Sequence, residues 1–252
     1  MKIFSVYGYT GSGKTTTIEN IIKELKKRRY TVGSVKEIHY EDFAIDTIGS
    51  NTNRHRLAGA ELVTARGYHE TDILFQEKLS IERILKFYDH DYVVLEGVTD
   101  YNLPKILTAK DVKEIDERID NSVFAISGRI ANEIDSYRGI PVISSVDKAI
   151  ELVDLIEDKV FKKLPDFDSR CCSGCGHDCR TLGSKILKGE AKREDCILSE
   201  NKIRLLIDDK EIDMVPFVQS ILRNTIEAVV SELDGYKEGA KIQILIGNEY
   251  DN

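Results

Sequence analysis

Eight residues near the N-terminus, Gly8-Tyr9-Thr10-Gly11-Ser12-Gly13-Lys14-Thr15, constrain this chain more than any other stretch. They spell G-x-x-x-x-G-K-[ST], a motif that functions in one setting: a strand, then the loop, then a helix. The flanking residues supply that setting. Ile3-Phe4-Ser5-Val6-Tyr7 is an apolar run. Residues 16–29 place Ile18, Ile21, Ile22 and Leu25 on one face of a helix. The glycines let backbone N–H groups converge on phosphate oxygens where side chains would block them. The helix that follows adds the positive end of its dipole. Lys14 brings a charge to β- and γ-phosphates, and Thr15 offers a hydroxyl to Mg²⁺. The candidate phosphate-binding set is therefore Gly8, Tyr9, Thr10, Gly11, Ser12, Gly13, Lys14, Thr15 and Thr16. A glycine turn without a ligand would leave unexplained a lysine at a helix start, where the dipole disfavours a cation.

The rest of the first 163 residues alternates strand-like and helix-like segments. Strands are expected at 31–36, 71–75, 92–95, 123–127 and 140–144, and helices at 54–66, 80–88 and 146–161. In the helix at 146–161, Ala149, Ile150, Val153 and Ile156 fall on one side. Apolar strands without clean alternation, separated by helices, predict a mainly parallel sheet covered on both faces. The expected fold is thus α/β, a P-loop NTPase three-layer sandwich over 1–163. A linker with Pro165 leads to a cysteine-rich segment at 169–198, then a small β-β-α-β unit at 199–252. In that unit Pro216 suits a first helical turn, Phe217, Ile221, Val229 and Leu233 are expected to face inward, and 241–246 is expected to close as a strand.

With 41% hydrophobic residues among 252, the chain can bury a core. A net charge of −8 excludes a general nucleic-acid binder, so phosphate attraction must be local to the loop. No window approaches the roughly 18 apolar residues of a membrane span, and the N-terminus has no apolar signal segment. A cytoplasmic protein is expected.

A phosphate loop also needs a carboxylate for Mg²⁺ or its water shell. Glu96 ends an apolar strand, and strand C-termini face the ligand crevice of an open parallel sheet. Asp46 opens Asp46-Thr47-Ile48-Gly49, a D-x-x-G pattern suited to sensing a γ-phosphate. The candidate catalytic set is Lys14, Thr15, Asp46 and Glu96, with Thr15 and Glu96 as magnesium ligands. Lys36, Arg54 and Arg56 are candidate charge neutralisers, although no resident arginine finger is identifiable. Asn132-Glu133-Ile134-Asp135 resembles a guanine-reading N-K-x-D without its lysine and is read as coincidence. Spacing does not give the base.

Several of these stretches together resemble the molybdopterin-guanine dinucleotide biosynthesis protein B family: residues 8–15, Val32-Gly33-Ser34-Val35-Lys36, the D-x-x-G stretch, Arg54-His55-Arg56-Leu57-Ala58-Gly59-Ala60, Leu95-Glu96-Gly97 and Pro104-Lys105-Ile106. The resemblance covers 1 to about 160. It implies a slow, Mg²⁺-dependent GTPase, often a homodimer, working beside a molybdopterin guanylyltransferase or another molybdoenzyme maturation partner. The chain departs from the family at Lys36-Glu37, where Lys-His is usual, and at Gly49-Ser50-Asn51-Thr52, which replaces G-K-D-S. Two other readings stay open: a non-hydrolytic nucleotide-binding adaptor for a partner transferase, and a nucleotide-driven metallochaperone.

All five cysteines lie after residue 170. In a reducing compartment such clustering points to metal or catalysis before disulfides. Cys172, Cys175, Cys179 and Cys196 supply three close thiolates and a late fourth. This distribution resembles four-cysteine [4Fe–4S] domains, with Zn²⁺ as the alternative. Cys171 is read as a bystander.

Overall fold

The computed structural model describes residues 1–41, 43–165, 172, 174–196, 203, 205–207, 210–212, 214, 216–237, 242–244 and 246. The chain divides into two compact units, Met1–Asp166 with Cys179–Arg193, and Phe167–Asp178 with Glu194–Asn252.

The first unit follows the order β1 (Lys2–Gly8), α1 (Lys14–Lys27), β2 (Val32–Lys36), α2 (Asn51–Leu57), β3 (Leu62–Arg66), β4 (Thr71–Phe75), α3 (Ile81–Leu85), β5 (Tyr92–Glu96), β6 (Lys105–Thr108), α4 (Val112–Arg118), β7 (Val123–Ser127), β8 (Ser136–Tyr137), β9 (Ile140–Pro141), α5 (Ala149–Lys159) and α6 (Cys179–Lys188). Five strands form one parallel sheet in the order β2-β5-β1-β6-β7. The strand carrying the glycine loop is therefore central. Alternation along it divides the core. Phe4 and Val6 pack with Ile21 and Leu25 of α1 and with Leu152 and Ile156 of α5. Ile3 packs on the opposite face with Val93, Leu95 and Leu103. Fully burying a side chain of this size stabilises by ~1.5–3 kcal/mol. Leu187 of α6 joins the α1–α5 side of the core.

Register fixes where the site falls. Val6 lies opposite Glu96, and Lys36 lies opposite Glu96 on the other side. Thus β2 and β5 finish level, β1 runs on past them to Gly8, and the loop after β1 opens just beyond the last residues of its neighbours. This is the carboxyl edge of a parallel sheet, where ligands bind in folds of this kind.

Several sequence expectations need correction. The helix expected at 54–66 ends at Leu57; Gly59, at φ 104°, turns the chain out, and 62–66 is strand β3 paired antiparallel with β4. The elements β6 and α4 are additions to the expected order. The strand has only four residues, and its first, Lys105, is a buried cation bonded to Thr99 O and Asp120. On α5 the inward positions are Leu152, Val153 and Ile156, whereas Ile150 is exposed.

The second unit contains the hairpin β10 (Leu205–Ile207) and β11 (Lys210–Ile212), then α7 (Pro216–Val230). Phe217, Ile221, Val229 and Leu233 are exposed, the reverse of the expectation. Residues 242–244 and 246 carry no strand, and the rest of the expected closing strand lies outside the described residues. Among the described residues no helix is long and apolar enough to cross a membrane.

Candidate nucleotide site

The loop after β1 is braced from beneath. Ser12 is buried, and its hydroxyl lies 2.8 Å from Tyr9 O and 2.7 Å from Thr108 Oγ1. Thr108 Oγ1 in turn donates to Tyr7 O. A Cβ at Gly8 would stand 2.1 Å from Thr108 O, so only glycine fits there. Gly13, at φ 110°, turns the loop into α1, and Thr17 N donates to its carbonyl.

The loop borders a cavity of about 1000 Å³. Lys14 Nζ donates across the loop to Gly8 O at 3.0 Å and Tyr9 O at 2.9 Å. Burial holds its pKa below the ordinary lysine value; the Glu96 charge opposes that shift, and Lys36 and Arg118 add to it. Thr15 Oγ1 donates to Glu96 Oε1 at 3.2 Å, and Lys36 Nζ meets the same oxygen at 3.0 Å. All four side chains line the cavity. A hydroxyl and a carboxylate side by side at a phosphate loop are the hard oxygen donors that Mg²⁺ accepts, so Thr15 and Glu96 fit that ion.

Asp46 is placed differently. Its Oδ1 accepts from Ser50 Oγ at 2.7 Å and Thr52 Oγ1 at 2.8 Å, and these bonds hold its carboxyl below the usual carboxylate range. Ser50 caps α2 by accepting from Asn53 N. The D-x-x-G stretch thus organises the start of α2, and Asp46 does not line the cavity. Of the three basic candidates only Lys36 reaches it; Arg56 bonds Gln76 and Arg54 is exposed.

Sequence reasoning missed the far wall. Gly128, Arg129, Asn132, Ser144 and Ser145 line the same cavity. Gly128 follows β7 at φ 89° and ψ −153°, and Arg129 N donates to Ser12 O. Ser145 donates to Thr17 of α1. The available signal was the Ser127-Gly128 step at the end of an apolar strand. Asn132 is in the wall, but Asp135 is turned out toward Lys148.

Among the described residues none of the four candidate cysteine ligands forms a disulfide. Cys172, Cys175 and Cys196 belong to the second unit and Cys179 to the first. Within neither unit do three His, Cys, Asp or Glu side chains gather into a group able to hold a metal, again among the described residues. Cys171 lies outside them.

A braced glycine loop between a central parallel strand and a helix, with Lys14, Thr15 and Glu96 converging at its mouth, defines a P-loop nucleotide-binding fold of the α/β class. The family model for molybdopterin guanine dinucleotide synthesis protein B matches residues 3–128. A putative molybdopterin-guanine dinucleotide biosynthesis adapter protein of Methanocaldococcus jannaschii is 31% identical over 98% of this chain and 97% of its own length. The chain belongs to this family. The corresponding adapter protein of Haemophilus influenzae is 28% identical over 62% of this chain and 88% of its own. The crystal structure of Bacillus subtilis MobB superposes with a TM-score of 0.55 at 22% identity, covering 65% of this chain and 100% of that one, and shares the fold.

Proposed function

We propose that the chain binds GTP with Mg²⁺ and hydrolyses it slowly in support of molybdopterin guanine dinucleotide synthesis. The observation that carries this reading is the meeting of Lys14, Thr15 and Glu96 at the sheet's carboxyl edge. Lys14 and the loop amides hold the phosphates and stabilise charge on the γ-phosphate as water attacks in line. Thr15 and Glu96 hold Mg²⁺, which neutralises phosphate charge when bound. Lys36 keeps the Glu96 carboxylate turned toward the loop. Asp46 acts on the segment leading to α2 and not on the phosphates.

Glu96→Gln is the direct test of the magnesium assignment. Nucleotide affinity with Mg²⁺ is expected to fall about ten-fold, as for loss of one charge-assisted contact. Affinity in EDTA is expected to stay within about two-fold. Equal affinities in both buffers would remove Glu96 from the magnesium site.

The adaptor reading has support in the names of the relatives. Single-turnover assays with and without a guanylyltransferase partner separate the two: tight binding with no phosphate release in either condition favours an adaptor. The resemblance to a family whose members are often homodimers supports a dimer here, and exposed Leu57, Leu62 and Ile73 around β3 and β4 are apolar area suited to one.

For the C-terminal cysteines we propose a [4Fe–4S] cluster held by Cys172, Cys175, Cys179 and Cys196. Their spacing alone supports it. Anaerobically purified protein is expected to be brown with about four irons per chain. One zinc and no iron would assign the thiolates to Zn²⁺ instead, and a zinc that leaves during turnover would support the metallochaperone.

A further inference from the structure

Arg118 closes α4 half-buried and lines the same cavity as Lys14. Its guanidinium carbon lies 3.9 Å from the centroid of the Tyr9 ring. Tyr9 OH donates to Glu117 at 2.9 Å, and Tyr7 OH donates to the Arg118 carbonyl at 2.7 Å. Backbone and side chain are therefore both tied to the junction of β1 and the loop. The acids of α4 are engaged elsewhere: Glu114 with Lys110, Glu117 with Tyr9 and Lys113, Asp116 with Arg138. Among the described residues no carboxylate pairs with the Arg118 guanidinium.

A half-buried cation that faces a cavity and has no carboxylate paired with it is costly unless an anion joins it. The cavity's other half-buried cation sharpens the point, because Arg118 is one of the charges that make protonation of Lys14 less favourable. An anion between the two would turn that repulsion into shared attraction. The position selects which anion. Lys14, the residue that serves β- and γ-phosphates in such loops, bonds Tyr9 O, and the Tyr9 ring carries Arg118. Arg118 is thus on the side of the loop that Lys14 serves.

We infer that Arg118 contacts the terminal phosphate of the nucleoside triphosphate held by the loop, a cation supplied in cis from α4 and steadied by the face of Tyr9. This rests on the nucleotide reading above and adds to it a residue that distinguishes triphosphate from diphosphate. A guanidinium suits the role because its planar fork can stack on a ring and donate to phosphate oxygens together.

The test is equilibrium titration of GTP and of GDP, in magnesium buffer, with wild type, Arg118→Ala, Arg118→Gln and Arg118→Lys. GTP affinity is expected to fall about ten-fold in the Ala and Gln variants, with GDP affinity within about two-fold of wild type. Lys, which keeps the charge without the fork, is expected to fall between. The Gln variant, similar in length, decides the matter if Ala does not fold. A GTP/GDP affinity ratio equal to that of wild type overturns the inference, as does an equal loss for both nucleotides. Wild-type protein that binds neither nucleotide removes the nucleotide reading itself, and this inference with it.

Discussion

Lys14→Ala is expected to abolish nucleotide binding, weakening it by about 100-fold or more, while the protein stays folded. The ammonium is the one group in the loop that brings a full positive charge to the phosphates. Two charge-assisted bonds at ~1.5–3 kcal/mol each correspond to at least about two decades of affinity. The fold does not depend on it. Its bonds go to Gly8 O and Tyr9 O at the cavity edge, and burial works against its charge. Stability should therefore change by no more than ~1 kcal/mol. Calorimetric titration alongside urea denaturation separates the two effects. Wild-type affinity in the variant would take the loop out of nucleotide binding.

Gly128→Ala is expected to cost both stability and binding. The residue sits in a backbone region open essentially to glycine, and such strain alone is ~1–3 kcal/mol. The added Cβ would stand 2.2 Å from Ser12 O and 3.1 Å from Ala109 O. Both atoms are backbone, so relief requires the glycine loop to move away from β7. Ser12 also anchors the loop to Tyr9 and Thr108. A destabilisation of about 3 kcal/mol or more is expected in urea denaturation, with nucleotide affinity falling in whatever fraction remains folded. Wild-type stability would show that the loop is not braced on this glycine.

The two outcomes depend on different kinds of information in the chain. Lys14 was legible from the motif, because its chemistry is local: a glycine loop, a strand before it and a helix after it. Glu96 was legible for a related reason, since a carboxylate at the end of an apolar strand belongs at the carboxyl edge. Gly128, Arg118 and Ser145 were not. They lie more than about 90 residues from the loop, and only the pairing of β6 and β7 beside β1 brings them to it. That pairing was hidden in turn. The short strand β6 begins with a lysine whose charge is satisfied by Asp120 and Thr99, a tertiary arrangement that periodicity cannot show.

Asp46 shows the opposite failure. D-x-x-G looked like a phosphate sensor, yet the hydroxyls of Ser50 and Thr52 both bond its Oδ1 locally, while the buried Oδ2 has no hydrogen-bond partner among the described residues and lies 3.8 Å from Arg56 Nη1. Short polar side chains around an aspartate favour a cap or turn over a remote ligand. The helix at 54–66 failed similarly, because Gly59 and the strand pairing of β3 with β4 overrode apolar residues at helical spacing.

The central claim is that the N-terminal loop grips the phosphates of a nucleoside triphosphate. Isothermal titration of the folded wild-type chain with GTP in magnesium buffer tests it most directly. Saturable heat with one site per chain, absent in Lys14→Ala, is the expected result. Folded protein that gives no heat with either GTP or ATP would contradict it.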